Sequence, residues 1–571
     1  MPDLVIGGRR PSPQRAVRAV VITGMLVAAA FVAAWFIYRR AVTYDVPAGA
    51  ASPDPVVAAR TAPGAPTTLG HAGATLTWSG RLAVLRAAGD PHALGEVHGR
   101  LLGAAVAEVA DAFRPTIDHA VAPGGLLGGL TRDMRIAWRH RFVDDGVPDI
   151  YRASLAGVAR GAVASGARVS YDDLLRDQAS LDVGVPARWT DEDALRHPVR
   201  ALTFVAPRGG ALASRLWVGR TFALPGLGDG GEAVAAHPVV SFVRPSGRFA
   251  WAGVGWPGLV GVVTGVNAEG LVVTVQPART AEVRPTRAAR PVALLARDIL
   301  ETCATLDQAI QLVEATPTLG AAALVVVDGK DGKWAVLERG PVKRAVLRAP
   351  TEPAVGDVLA GQPFADDPEN DRNRRVLPTG LRLRRAAHLL RAPLADAAAA
   401  VAVLRDERAP DDAPLPAGHR GAIYDPAAVQ TVLIDPGGMA LWVADGDARG
   451  RFRAFDLRHE LRGEGDRPAP AADVPAEADV DVSIVPALRA ARADLREARR
   501  RLGAGDVRGS DEWVQRAIAR APTLPEAWKL AGDVARSRGD RPAAVERWRR
   551  WLELGPDDPG AEEAIRALVA P

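Results

Sequence analysis

From about residue 73 to about residue 460 the chain switches between two hydrophobic rhythms. Arg100–Phe113 (RLLGAAVAEVADAF) places apolar residues at helical spacing, and Tyr151–Ala164 repeats the pattern. From Ala201 the rhythm becomes short apolar runs broken by glycine and proline. ALTFVA, RLWVGRTF, PVVSFV, RFAWAGV, LVGVVTGV and LVVTVQ all predict strands. Pro291 to about Thr302 then reads as a helix. Thr305-Leu306-Asp307-Gln308 opens another, with Thr305 as N-cap and Gln308 at the third helical position. Strands return at ALVVVD, WAVLERG, TVLID and ALWVADG. Helices, strands, helices and strands in succession predict a layered α+β body with packed sheets, not a parallel βαβ fold.

The flanks differ from this body. Ala19–Tyr38 (AVVITGMLVAAAFVAAWFIY) is uncharged and reaches the about 20 residues that cross a ~30 Å hydrocarbon core as a helix. Trp35 and Tyr38 sit near its end, where amphipathic rings favour the interface. Arg9, Arg10, Arg15 and Arg18 precede the run and only Arg39 and Arg40 follow it. That asymmetry predicts a cytoplasmic tail over 1–18, a single-pass signal anchor over 19–38 and a body on the extracytoplasmic side, periplasmic or cell-surface. Ala48-Gly49-Ala50 has the small-x-small pattern of a signal-peptide cleavage site, so a cleaved leader stays open. The overlong apolar run and the two intervening arginines favour the anchor. Residues 39–72, rich in Ala, Pro, Gly and Thr, predict a spacer between the anchor and the body over 73–462. An acidic Pro/Ala stretch over 463–484 predicts a linker.

Residues 485–571 read as helical hairpins. Gly505-Asp506 recurs as Gly539-Asp540, and Ala521-Pro522 as Gly555-Pro556, each 34 positions on. That is the tetratricopeptide period, and Pro525-Glu526-Ala527-Trp528 resembles a helix start of that repeat. An all-α module of this kind implies a protein or peptide partner on its concave face.

Composition narrows the function classes. At 571 residues, 48% hydrophobic and 24% charged, the chain is ordinary globular material for two to four domains. Net charge is +4 with basic and acidic residues interspersed, which offers no nucleic-acid stripe. The abundance of Ala and Arg over Lys points to a GC-rich bacterial genome. One cysteine excludes a disulfide framework and a Cys-based zinc site. Gly253-Val254-Gly255-Trp256-Pro257-Gly258 satisfies G-x-G-x-x-G, but Trp-Pro fills its variable positions and a β-branched run follows, so a turn between strands is expected rather than a dinucleotide loop. His92 and His98, beside Asp90 and Glu96, come nearest to a ligand cluster, yet six residues of helix put them on different sides. No metal or cofactor is expected. Cys303, at a helix end with no basic residue in the next four positions, reads as a small buried hydrophobe.

Several stretches together resemble the autoproteolytic acyltransferase/hydrolase family typified by isopenicillin-N acyltransferase. Gly89–Gly103 (GDPHALGEVHGRLLG) is similar to its opening glycine-spaced helix. Leu155–Ala162 followed by Val169–Leu175 is similar to the segment before its nucleophile. Trp256-Pro257-Gly258, Thr264–Leu271 (TGVNAEGL) and Arg297–Pro317 resemble its later signatures. The resemblance spans about 75–460 and implies an N-terminal-nucleophile (Ntn) hydrolase-like αββα body with amidase or acyltransferase ancestry. In that family the chain cuts itself before a cysteine, whose freed amine then serves as base and whose thiolate attacks an amide or thioester carbonyl. Aligned on Cys-x-x-Phe, Ala201-Leu202-Thr203-Phe204 puts Ala201 at the nucleophile, and a methyl group can neither cut nor attack. Gly219-Arg220-Thr221-Phe222-Ala223 stands where the family has Gly-Arg-Asn-x-Asp, so Arg220 remains while the amide and carboxylate are gone. The preferred expectation is a degenerate site, a possible pseudoenzyme, in which Arg220 and Asn267 contact an acylated or amide ligand. The alternative is an active amide hydrolase or acyltransferase cut before Thr203, whose hydroxyl points to the same strand face as Ala201 and would serve as catalytic nucleophile.

Overall fold

The computed structural model describes residues 13–49, 52–60, 67–121, 126–182, 199–209, 216–224, 229–282, 289–463, 471–478 and 480–569. Arg9 and Arg10, and Ala50 of the possible cleavage pattern, lie outside them. The chain divides into two units, Met1–Asp45 with Ala122–Phe142, and Val46–Val121 with Val143–Pro571.

In the first unit the apolar run lies within α1 (Pro13–Val42), of which Val20–Val42 is long and apolar enough to cross a membrane. The Tyr38 hydroxyl donates to the Met134 carbonyl at 2.9 Å, on the helix Leu126–His140. Tyr38 also stacks between Trp35 and Trp138, with ring centroids at 5.8 and 6.2 Å.

The second unit holds the sheets. Its strands are β1 (Val57–Ala59), β2 (Thr68–His71), β3 (Ala74–Ser79), β4 (Leu82–Gly89), β5 (Arg200–Pro207), β6 (Leu216–Ala223), β7 (Val239–Pro245), β8 (Trp251–Gly255), β9 (Thr264–Asn267), β10 (Leu271–Ala278), β11 (Ala321–Asp328), β12 (Lys333–Arg339), β13 (Arg344–Arg348), β14 (Ala354–Val355), β15 (Ala428–Asp435), β16 (Ala440–Ala444) and β17 (Phe452–Asp456). They make an eleven-stranded sheet, β1-β2-β3-β4-β7-β8-β9-β10-β11-β12-β13, and a six-stranded one, β14-β5-β6-β15-β16-β17. β4 and β7 pair in parallel. Runs such as AAALVVVD in β11 are buried at every position, which is why they lack alternation in the sequence.

The sheets pack face to face. Val84, Phe242, Val272 and Val325 of the larger sheet meet Val205, Val218, Val432 and Ile434 of the smaller. The far face of the smaller sheet, through Leu202, Phe204 and Trp217, covers the helices Thr379–Leu389 and Ala397–Leu404 at Ala386, Val401 and Leu404. Helices Val292–Thr302 and Leu306–Ala315 lie over β10 and β12 of the larger sheet. The mixed helix and sheet architecture expected from the sequence is present as helix, sheet, sheet and helix layers. Thr305 caps the second of those helices, accepting from the Gln308 backbone N–H, while Gln308 Oε1 accepts from Ala304 N–H.

The glycine-spaced segment becomes α2 (Pro91–Val121), packed on the helix Asp149–Ala164. A β-carbon at Gly99 would sit 2.2 Å from the Val158 carbonyl oxygen, and one at Gly157 2.3 Å from that of His92. Glycine every fourth residue therefore lets two backbones touch.

Two boundaries differ from the sequence reading. The region 39–72 is no plain spacer, because α1 runs to Val42 and β1 and β2 add to the larger sheet. Runs of three and four residues are too short to carry a readable period. Within the expected linker, the described segment 471–478 is not free either. Val474 bridges Phe452, and Trp442 Nε1 donates to the Ala472 carbonyl at 3.0 Å, so the edge strand β17 captures it.

Beyond it come helices Ile484–Gly503, Val507–Arg520, Pro525–Ser537, Arg541–Glu553 and Pro559–Val569. The repeated Gly-Asp pair has a clear job. Gly505 and Gly539 take positive φ (82° and 78°) to end one helix, and Asp506 and Asp540 cap the next through Gly509 and Ala543 N–H.

Candidate functional site

β5 and β6 run antiparallel, so Thr203 faces Arg220 and Ala201 faces Phe222. Ala201, Thr203 and Val205 alternate onto one strand face, and Val205 belongs to the core between the sheets. From the facing sheet, β10 supplies Thr274 and Gln276. Thr203 Oγ1 and Thr274 Oγ1 share a hydrogen bond of 2.9 Å, and Arg220 Nη1 donates to Thr203 Oγ1 at 3.2 Å. Arg220 also donates to Gln276 Oε1 and to the Val275 carbonyl. Gln276 Nε2 donates to Thr274 Oγ1 at 3.3 Å. Thr203, Arg220, Thr274 and Gln276 are each fully buried.

The electrostatics are unusual. Among the described residues no carboxylate pairs with Arg220, and burial alone pushes its guanidinium down to about 9. Neutral acceptors and the Phe222 ring, 4.8 Å from its Cζ, are its surroundings. Phe222, cross-strand from Ala201, stacks on Trp256 at 6.4 Å, which walls Ala201 with aromatic carbon.

Thr203 and Arg220 are therefore brought together, and Asn267 is not. Asn267 ends β9 and turns to the opposite face from Val266, away from the inter-sheet core. Its Nδ2 donates to the Leu300 and Cys303 carbonyls at 3.0 and 2.8 Å, and its Oδ1 accepts from Glu269 and Leu271 N–H at 3.1 and 2.9 Å. All four hydrogen-bonding positions are used, which corrects the ligand-contact reading. The residue ties a β-turn to a helix end.

Cys303 is buried, and burial pushes its thiol up, away from nucleophilic character. No group of His, Cys, Asp and Glu among the described residues is arranged to hold a metal ion. His98 has a different task. Its Nε2 accepts from Gly258 N–H at 2.9 Å, tying α2 to the Trp256-Pro257-Gly258 turn. Thr274 and Gln276 were missed in the sequence because nothing in LVVTVQ says which strand it faces; their two-residue spacing was the one signal available.

Residues 234–411 match the acyl-coenzyme A:6-aminopenicillanic acid acyl-transferase family. This acyl-transferase-type segment covers less than a third of the chain. It includes Trp256, Asn267, Thr274 and Gln276, and it begins after Ala201, Thr203 and Arg220. An uncharacterized protein of Archaeoglobus fulgidus is 25% identical over 272 residues, 45% of this chain and 43% of that one. The chain thus spans under half the length of that curated relative. Among solved structures, the Caenorhabditis elegans ortholog of N-acylethanolamine-hydrolyzing acid amidase aligns at 16% identity and a TM-score of 0.31, over 41% of this chain and 93% of that one. Penicillin V acylase from Agrobacterium tumefaciens aligns at 13% identity and a TM-score of 0.29, over 43% and 82%.

Proposed function

We propose that this is a membrane-anchored extracytoplasmic protein of the acyl-transferase type whose amide chemistry is lost and which acts by binding. The observation that carries the reading is the buried Thr203–Arg220–Thr274–Gln276 cluster beside Ala201. It fills the space between the sheets with side chains that hydrogen-bond to one another, and none of them is a thiol or a reachable hydroxyl. Binding then falls to other surfaces. The 34-residue register of the helical hairpins favours a tetratricopeptide-type module that docks a protein or peptide.

The anchor is supported by α1 and by the Trp35–Tyr38–Trp138 stack near its end, flanked by Arg39 and Arg141. Intact mass of the purified full chain is the deciding measurement. A single species of 60.0 kDa supports the proposal. Two fragments split at Leu202–Thr203 would instead make the chain a threonine-dependent amide hydrolase. The position of Thr203 on the same strand face as Ala201 is what favours that second reading.

A further inference from the structure

A separate cavity lies where the helix Ile484–Gly503 meets the ends of β5 and β6. Five arginines line it, Arg200 at the start of β5 and Arg489, Arg492, Arg496 and Arg499 on the helix. Spacings of three and four residues put those four on one helix face. Among the described residues, three carboxylates pair with four of these arginines, Glu526 also lying 3.7 Å from Arg499. Asp425 pairs with Arg200 at 3.0 Å, Glu526 with Arg492 at 2.7 Å, and Glu232 with Arg496 at 3.0 Å. Arg489, half-buried, has no ion-pair partner among the described residues. Among the described residues, five guanidiniums and the carboxylates of Glu232 and Glu526 line this partly enclosed space. Leu224, Ala235 and Ala427 supply apolar wall between the guanidiniums.

A smaller cavity adjoins it, sharing Ala235 and Arg489, and Gln430 lines that one. Gln430 is only 5% exposed, and neither its Nε2 nor its Oε1 has a hydrogen-bond partner among the described residues. Burying an amide unpaired is unfavourable, and native folds keep one where something else completes it. A bulge places it there. Ala428 pairs with Ala223 and Gln430 with Phe222, so Val429 is an extra residue that re-aims the strand. The two cavities admit water centres over about 60 and 10 Å³. At ~10–15 Å³ per water that is room for a molecule of a few heavy atoms.

We propose that this paired cavity binds a small hydroxy- or oxo-carboxylate. Its carboxylate lies on Arg489 and the neighbouring guanidiniums, whose planar forks match that geometry. Its short apolar part rests on Leu224 and Ala427, and its second oxygen completes Gln430. Inorganic phosphate meets the charge but sets hydrated oxygens against apolar wall. The site is lined by neither Thr203 nor Arg220, so it stands whatever the fate of the amide chemistry.

The test is calorimetric titration of the full chain in detergent with lactate, propionate and inorganic phosphate. Saturable lactate binding is expected, with propionate weaker and phosphate weaker still. Arg489→Gln weakens lactate by about tenfold or more, the size of a lost hydrogen bond to a charged group. Gln430→Leu erases the difference between lactate and propionate, and Glu232→Gln tightens lactate by removing the carboxylate opposite Arg496. Because Arg489 has no partner to orphan, its variant keeps the wild-type melting temperature. The proposal is overturned by absence of saturable lactate binding, by phosphate binding as tightly as lactate, or by lactate binding indifferent to Arg489→Gln.

Discussion

Arg220 Nη1 donates to Thr203 Oγ1 across 3.2 Å, joining two residues that stand directly opposite on β5 and β6. A hydroxyl nucleophile needs a base that takes its proton. Thr203 is offered a cation on one side and the hydroxyl of Thr274, 2.9 Å away, on the other. Neither is a base, so the contact serves packing. Thr203→Val is expected to cost about 1–3 kcal/mol by leaving buried donors short of a partner. Urea unfolding measures it. The same variant and the wild type are both expected to run as one 60.0 kDa chain. A fragment pair present in the wild type and absent in the variant would assign the nucleophile to Thr203.

A thiol placed at position 201 is expected to bring no self-cleavage. Ala201 is fully buried, and its cross-strand neighbour Phe222 stacks on Trp256. Ala201→Cys places sulfur against aromatic carbon, where desolvation raises a thiol's pKa. The variant should stay uncut and should resist iodoacetamide in the native state while reacting in urea. Mass spectrometry reads both. Self-cleavage of Ala201→Cys would overturn that expectation.

The sequence made the strands and the shared face of Ala201 and Thr203 readable because period two is a local property. Partners on the facing sheet are not local. Thr274 and Gln276 enter the cluster from a strand about seventy residues on, and Gln430 reaches its cavity only because of an unmarked bulge at Val429. Asn267 was misread for the same reason. One step along β9 separates the core face of Val266 from the helix-facing side of Asn267, and composition does not say which face holds a site.

His98 should make the fold acid-labile. Burial pushes its imidazole down to about 4 from 6.5, with Arg297 adding to the effect, and its Nε2 must stay unprotonated to accept from Gly258. Below pH 6.5 the unfolded chain takes up a proton that the folded chain refuses until about 4, so the unfolded state binds more protons across that window. Stability therefore rises with pH there, and about 3 kcal/mol is lost as pH falls from 6.5 to 4. His98→Gln offers an oxygen at a similar reach with no titration. Urea midpoints against pH should show a shallower acid limb in that variant, and an unchanged limb would remove His98 as the cause.

The seam between the sheets and the C-terminal helices should depend on the buried Arg420–Asp557 pair. Arg420 Nε lies 2.7 Å from Asp557 Oδ2, and Trp551 Nε1 donates to Asp557 Oδ1 at 3.2 Å. Burial pushes the Asp557 carboxyl up, but Arg420 outweighs it and holds the group below the usual range. A carboxylate so depressed contributes stability above its unfolded pKa and loses it as pH falls through the folded one. Asp557→Asn keeps the shape and removes the carboxylate paired with Arg420, a loss of about 3–5 kcal/mol for a broken buried pair. Removing both charges, as in Arg420→Met with Asp557→Leu, is expected to recover most of it. Hydrogen exchange separates the parts. In Asp557→Asn, amides of Ile484–Gly503 and Pro525–Ser537 should exchange faster while those of β10 and β11 keep wild-type protection. Equal loss of protection in both regions would mean that the C-terminal helices and the sheets unfold as one cooperative body.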